Sequence, residues 1–147
     1  MSSQREKNLY RFLEFPGIYQ ISQQLFGHQP TEVAFAKWFG CPSGLKILDV
    51  GCGTGIDAKK FQTASKYVGL DPNPDYIATA KKMYGNFGQF YNVSVSQIES
   101  LKLEQFDVIM MKGVIHHLKD DEIHNSLRIV SKLLSSTGKF ISIDPVY

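Results

Sequence analysis

Apolar positions change their period along this chain. Between Leu9 and Phe26, the residues Leu9, Phe12, Leu13, Ile18, Ile21, Leu25 and Phe26 recur near helical spacing, and Pro16-Gly17 divides the stretch into two short helices. Pro30 suits a first helical position and Gly40 a stop, so a third helix is expected from Pro30 to Phe39, with Pro42-Ser43-Gly44 as the turn that follows. From Leu45 the period shortens. Leu45 to Val50 and Phe106 to Met111 are near-continuous apolar runs of strand length, the second with the character of a central strand covered on both faces. Lys66 to Asp71, Phe90 to Val95 and Lys139 to Asp144 read as three more strands. Ile56 to Thr63 reads as a helix. Asn73 caps another, with Pro74 at its first position, running through Ala78, Ala80 and Met83 to a stop at Gly85. Asp120 caps the last, whose Ile123, Leu127, Val130, Leu133 and Leu134 line one face and which Thr137-Gly138 ends.

Strands alternating with helices predict an α/β fold: a doubly wound, mostly parallel sheet with its ligand crevice at the carboxyl ends of the strands. With 147 residues and 43% hydrophobic content the chain fits one domain, 1–147, in which 1–40 form a helical lid and 45–147 a ligand-binding core. The formal net charge of +2 and the spread of the lysines give no footprint for nucleic acid or an anionic membrane. No apolar run approaches the ~18 residues needed to span a bilayer, and the polar Met1 to Asn8 precede no apolar leader segment. Cys41 and Cys52 stand in neither a metal-ligand nor a C-x-x-C arrangement, so no metal is expected and a reducing cytoplasm fits.

The chemistry concentrates in Leu45-Lys46-Ile47-Leu48-Asp49-Val50-Gly51-Cys52-Gly53-Thr54-Gly55. Alternating glycines after a strand let the backbone turn sharply and approach a ligand closely, as nucleotide-binding turns do. The dinucleotide fingerprint places its third glycine where this chain has Ile56. Asp49 would repel a pyrophosphate, whereas it would attract the sulfonium and amino group that S-adenosylmethionine carries. Asp71 ends the second strand, where a carboxylate can accept from both ribose hydroxyls. That feature serves either nucleotide ligand.

The acidic residue followed by G-x-G-x-G resembles motif I of the class I S-adenosylmethionine-dependent methyltransferases. Phe106 to Leu118, an F-D-x-V-like strand leading to His116-His117-Leu118, resembles that family's strand-four segment, and Leu133 to Phe140 resembles its stretch before strand five, without the usual Pro and with Thr137 at the first Gly. The matches run in family order from about Leu45 to Asp144. The resemblance implies a Rossmann-like fold, S-adenosylmethionine as cofactor and a small-molecule methyl acceptor. It places Gly51 and Gly53 against the methionine and ribose portion, with Gly55 completing the turn and Asp49 orienting the amino end. Asp71 would hold the ribose, Pro72 and Asn73 would flank adenine, and Gln97 and Ile98 would stand where relatives place an acidic and an apolar residue against the ring. Lys112 follows strand four, where relatives use a backbone carbonyl or small side chain beside the transferring methyl; its plainer reading is a loop lysine facing solvent. If the acceptor needs a base, His116 or His117 is the candidate, since an unperturbed imidazole titrates near neutral pH; their plainer reading is that they pack or cap the turn. Tyr10, Phe15 and Tyr19 of the N-terminal helices would lid the pocket.

Asp144-Pro145-Val146-Tyr147 resembles the D-P-P-Y of amino-directed DNA methyltransferases, but it follows strand five rather than strand four and no basic patch accompanies it, so nucleic acid is not the expected substrate. Methyltransferases of this class usually add a helix and two strands beyond the fifth. The sheet is therefore expected to be truncated there, leaving an edge open to homodimerisation, and the alternative function is a cofactor-binding module without catalytic activity.

Overall fold

The structure, a computed structural model, describes residues 40–144. The helices expected before Gly40, including the lid residues Tyr10, Phe15 and Tyr19, lie outside the described residues, as do Pro145, Val146 and Tyr147. Apart from Gly40 and Cys41, what is described belongs to one compact unit, Pro42–Tyr147. Five strands, β1 (Lys46–Val50), β2 (Lys66–Asp71), β3 (Gln89–Asn92), β4 (Phe106–Lys112) and β5 (Leu134–Ile143), form one sheet in the order β3-β2-β1-β4-β5. All four neighbouring pairs are parallel. The chain winds outward from β1 through β2 to β3, then returns to lay β4 on the other side of β1. Winding therefore reverses between β1 and β4, which is where a doubly wound sheet opens its crevice.

The pleat sorts the side chains of the central strands onto two faces. Leu48, Val50, Val68, Leu70, Ile109 and Met111 form one buried cluster with Phe106, with Ile98 from the 3₁₀ segment Val95–Leu101, and with Ile129 and Val130 from helix α2 (Asp120–Leu133). The opposite face carries Tyr67, which stacks on Phe61 of the 3₁₀ segment Ile56–Phe61 at 6.0 Å between ring centroids and meets Phe90 of β3 at 6.1 Å. Helices thus cover both faces, as the strand–helix alternation predicts. Among the described residues no helix is long and apolar enough to cross a membrane.

The helix α1 (Pro74–Tyr84) starts as its sequence predicts: the Asn73 carboxamide oxygen accepts from Asp75 N at 2.9 Å and Tyr76 N at 3.3 Å, and Gly85 closes it by donating to Lys81 O. Its buried residues are Ile77 and Ala80, whereas Met83 is 56% exposed. Several boundaries differ from expectation. The segment after the glycine turn is a 3₁₀ helix ending at Phe61 rather than a helix to Thr63, and β3 runs from Gln89 to Asn92 rather than from Phe90 to Val95. Lys119, not Asp120, is the N-cap of α2; its backbone N donates to Glu122 at 2.9 Å, while Asp120, Asp121 and Glu122 fill the first turn, where the helix dipole favours acids. The buried residues of α2 are Ser126, Ile129 and Val130, and Leu127 is 40% exposed. The Ser126 hydroxyl satisfies itself on Glu122 O at 2.6 Å, so a polar residue occupies the buried face and the periodicity misleads. Finally, α2 ends at Leu133 and β5 begins at Leu134, with Thr137-Gly138 inside an irregular stretch in which the β4 partners Phe106 and Val108 face Leu134 and Lys139. Regular pairing resumes at Lys139, the residue predicted to start the strand.

Candidate cofactor site

At the carboxyl end of β1 the chain passes through Gly51, Gly53 and Gly55, all left-handed with φ of +79°, +56° and +76°. A side chain in that region costs roughly 1–2 kcal/mol at each position. Packing adds a second reason for glycine. A Cβ on Gly51 would lie 2.3 Å from Val114 Cγ2, and one on Gly55 would lie 2.8 Å from both Ala80 Cβ and Phe90 Cε1. The turn is therefore wedged between the loop after β4 on one side and α1 with β3 on the other. Gly51 N and Cys52 N both donate to Leu70 O, at 2.7 and 2.9 Å, which ties the turn to the end of β2.

Asp71 stands at that end. Its Oδ2 accepts from Gly53 N at 3.0 Å and its Oδ1 from Asn73 N at 2.8 Å, so one carboxylate holds both the glycine turn and the start of α1. Burial pushes its carboxyl above the usual carboxylate range, although the two amides pull it down. Each carboxylate oxygen has a second acceptor site, and Asp71 is 8% exposed, so two hydrogen bonds from a ligand remain available to it.

Asp49 has a different setting. It is 2% exposed, and its Oδ2 accepts from the Tyr67 hydroxyl of β2 at 2.5 Å. Its carboxyl is pushed up to about 6, first by burial and then by the Asp57 charge, against the pull of Lys112 and the Tyr67 hydrogen bond. Asp57, also buried, comes from the first turn after the glycines and pairs with Lys112 at the end of β4 and with Lys60 at 3.2 Å. Burial would raise its carboxyl, but those two ammonium groups hold it below its ordinary value. Under the turn lie three carboxylates, and Lys112 crosses from β4 to join them. The Cys52 thiol is pushed far up by burial and by the nearby carboxylates, which keeps it protonated and inert.

The residues expected to form the site thus separate. Asp49, Gly51, Gly53, Gly55, Asp71 and Lys112 converge at the carboxyl ends of β1, β2 and β4, and Asn73 joins them through the Asp71 hydrogen bond. Pro72 follows Asp71 on an exposed bend. Gln97 turns inward on its own segment: its Oε1 accepts from Ser94 N at 2.9 Å and from Ser94 Oγ at 3.1 Å, so a ligand amine would have to compete for that oxygen. Ile98 is buried in the cluster of Val50 and Leu70. His116 and His117 lie in the 3₁₀ turn Ile115–His117 beyond Val114, their ring centroids 3.8 Å apart. Burial and the neighbouring His116 hold His117 below the ordinary imidazole range, against the pull of Asp144. The sequence does not single out Tyr67 or Asp57, and Asp144 stands out only as the start of Asp144-Pro145-Val146-Tyr147. The acid immediately after the glycine turn was the one available clue to Asp57.

A family described as a methyltransferase domain matches residues 48–140. The ubiquinone biosynthesis O-methyltransferase of Rhodopseudomonas palustris (strain BisB5) is 33% identical over 87 residues, which cover 58% of this chain and 34% of that protein. Among solved structures, the YcgJ protein of Bacillus subtilis aligns with a TM-score of 0.68 at 23% identity, covering 80% of this chain and 51% of that one. The magnesium protoporphyrin IX methyltransferase of Synechocystis, solved with bound SAH, aligns with a TM-score of 0.65 at 18% identity, covering 88% of this chain and 68% of that one. These two likenesses concern the fold. The chain spans about a third of the length of the first curated relatives it matches.

Proposed function

The chain belongs to the class I S-adenosylmethionine-dependent methyltransferase family, and we propose that it transfers the methyl group of S-adenosylmethionine to a small-molecule acceptor. The observation that carries the reading is the glycine turn at the switch point, held by Asp71 through its own backbone amide while that carboxylate keeps acceptor capacity for two ribose hydroxyls. The residues fit such a cofactor. Thr54 Oγ1, buried within the turn, has no hydrogen-bond partner among the described residues, and the acidic ground beneath the turn favours a cation over a pyrophosphate. When bound, the cofactor supplies a methyl already made electrophilic by the sulfonium. The protein's task is to align the acceptor with it and to exclude water.

In this reading Gly51, Gly53 and Gly55 admit the methionine and ribose portion, Asp71 accepts from the ribose, and Pro72 and Asn73 border the adenine. Asp49, shielded by Tyr67, acts on the ligand's amino end through its field rather than by contact. Lys112 screens Asp57. A cytoplasmic location accords with the free thiols of Cys41 and Cys52. A cofactor-binding module without turnover is the second reading, because the glycine turn and Asp71 account for holding a ligand and not for turnover.

Calorimetric titration with S-adenosylmethionine and S-adenosylhomocysteine tests the proposal. Both ligands are expected to bind wild type, and Asp71→Asn is expected to weaken each by about tenfold or more, the cost of hydrogen bonds to a charged acceptor. Absence of binding to wild type overturns the reading, and binding of NAD in its place revives the dinucleotide alternative. Binding without methylation of any small-molecule acceptor selects the module.

A further inference from the structure

The carboxyl end of β4 carries a cation that neither a ribose nor a sulfonium calls for. Lys112 is the last residue of β4, one position beyond the Val50–Met111 pair, so it stands beside Gly51, where the glycine turn begins. Its side chain crosses beneath the turn to Asp57 Oδ2, a partner 55 residues earlier in the chain. The two are unequally covered: 18% of the Lys112 side chain is exposed, against 5% of that of Asp57. The ammonium is therefore the member of the pair that a ligand in the crevice can reach. It has three donors, of which Asp57 takes one among the described residues. Thr54, in the same turn, is 1% exposed, and its Oγ1 has no hydrogen-bond partner among the described residues. Donor capacity thus remains at this end of the crevice for an acceptor that a ligand brings.

Charge balance gives Lys112 its meaning. Asp49, Asp57 and Asp71 make the ground beneath the turn acidic, which suits an ammonium or a sulfonium and opposes a carboxylate. The amino-acid end of S-adenosylmethionine, however, carries an ammonium and a carboxylate on one carbon. Such a zwitterion needs a cation set among the acids. Lys112 meets that need, because it draws down the carboxyls of both Asp49 and Asp57 and so acts on the same ground as they do. β1 and β4 are neighbouring parallel strands, about 4.8 Å apart, and their ends bring Asp49 and Lys112, opposite in charge, to one part of the crevice. Lys60, the other cation on Asp57, comes from the 3₁₀ segment rather than from a strand end at the switch point. Since the family resemblance puts a backbone carbonyl or a small side chain at this position, the ammonium is a feature of this chain and not of the family pattern.

We propose that Lys112 holds the α-carboxylate of the cofactor, sharing its ammonium between that group and Asp57, and so selects ligands with an intact amino-acid end over decarboxylated ones. The inference rests on the S-adenosylmethionine reading above. Asp57 then has two effects: it keeps the ammonium in place before a ligand arrives, and it competes with the ligand's carboxylate afterwards. Lys112 is a specificity-determining residue, and no proton or bond passes through it.

Calorimetric affinities for two thioethers at about pH 7 test the assignment. One is S-adenosylhomocysteine, and the other is its decarboxylated counterpart, which keeps the nucleoside, the sulfur and a protonated amine. The ratio of the two affinities within one variant cancels any general loss of binding or stability. Wild type should bind S-adenosylhomocysteine about tenfold or more tightly, the effect of a charge-assisted hydrogen bond. Lys112→Met combined with Asp57→Asn removes the ammonium without stranding a buried carboxylate, and the ratio should fall to about threefold or below. Asp57→Asn alone releases the ammonium from its competitor and should widen the ratio beyond that of wild type, a direction that a purely structural ion pair does not produce. No preference in wild type, a wild-type ratio in the double variant, or a ratio in Asp57→Asn at or below the wild-type value overturns the assignment of Lys112 alone. A wild type that binds neither thioether overturns the cofactor reading instead.

Discussion

Cofactor affinity should depend on pH through Asp49. Without ligand, burial and the Asp57 charge place its carboxyl at about 6. A bound cation favours the ionised form, so in the complex the group titrates lower, and in the limiting case near its ordinary value of ~4. Between those values the free protein holds a proton that the complex does not. Binding therefore releases protons, and affinity rises with pH through that window and levels off above about 6. At pH 5 the carboxyl is then about nine-tenths protonated in the free protein and about one-tenth in the complex, which makes binding about tenfold weaker than at pH 7, roughly 1 kcal/mol. Isothermal titration at both pH values, in two buffers of different ionisation enthalpy, reads the affinity ratio and the proton release together. Asp71 titrates with the same sign, so Asp49→Asn is the control that assigns the effect, and it should flatten most of the slope. Equal affinities at pH 5 and pH 7, proton uptake on binding, or an unchanged slope in Asp49→Asn would refute the reasoning.

The same carboxyl affects folding with the opposite sense. The unfolded chain titrates at Asp49 near 4 and the folded chain near 6, so the folded state binds more protons in between, and stability falls as pH rises through that window. At pH 7, Asp49→Asn should stabilise the cofactor-free protein by up to about 3 kcal/mol in urea unfolding; a destabilised variant would show that the ionised carboxylate is better accommodated than its burial implies. Gly51→Ala places a Cβ 2.3 Å from Val114 Cγ2 in a left-handed backbone, and should cost about 2 kcal/mol or more. Val114→Ala in the same chain should recover the steric part but not the backbone part, and full recovery would dismiss the φ argument. Lys112→Met removes an ammonium that faces Asp57 and draws Asp49 down, so it should destabilise by about 3 kcal/mol and move the pH midpoint of cofactor affinity above about 6. A midpoint that stays in place would show that Lys112 does not act on Asp49. Glu104 joins Lys46 and Lys66 at 2.6 Å each at the exposed amino ends of the strands, yet Glu104→Gln should leave Tm nearly unchanged at high salt, because water and ions screen such pairs.

How far the fold was legible follows from where each signal resides. β1, β2 and β4 announce themselves because their covered faces demand apolar runs, and the turn after β1 does so because only glycine tolerates both φ near +79° and Val114 at that distance. Local patterning fails where a polar residue is buried because it is satisfied within its own helix, and where no turn marks a change of element. Ser126 lies on the buried face of α2 because its hydroxyl returns to Glu122 O, which hides the true stripe from a count of apolar residues, and β5 follows α2 without a loop, which leaves no punctuation to mark the change. The charge chemistry was hidden for a further reason. Asp49 meets Tyr67 only because β1 and β2 pair in parallel with Asp49 opposite Gly69, a residue with no side chain to compete for that face. Asp57 meets Lys112 across 55 residues, and His116 meets Asp144 across 28. Each pair joins the ends of strands adjacent to the switch point, so the strand order that opens the crevice also brings these titratable groups to it. A reading of the sequence that recovers the order β3-β2-β1-β4-β5 could therefore have asked which ionisable residues end or follow β1, β4 and β5, and Asp57, Lys112, His116 and Asp144 would have been among the answers.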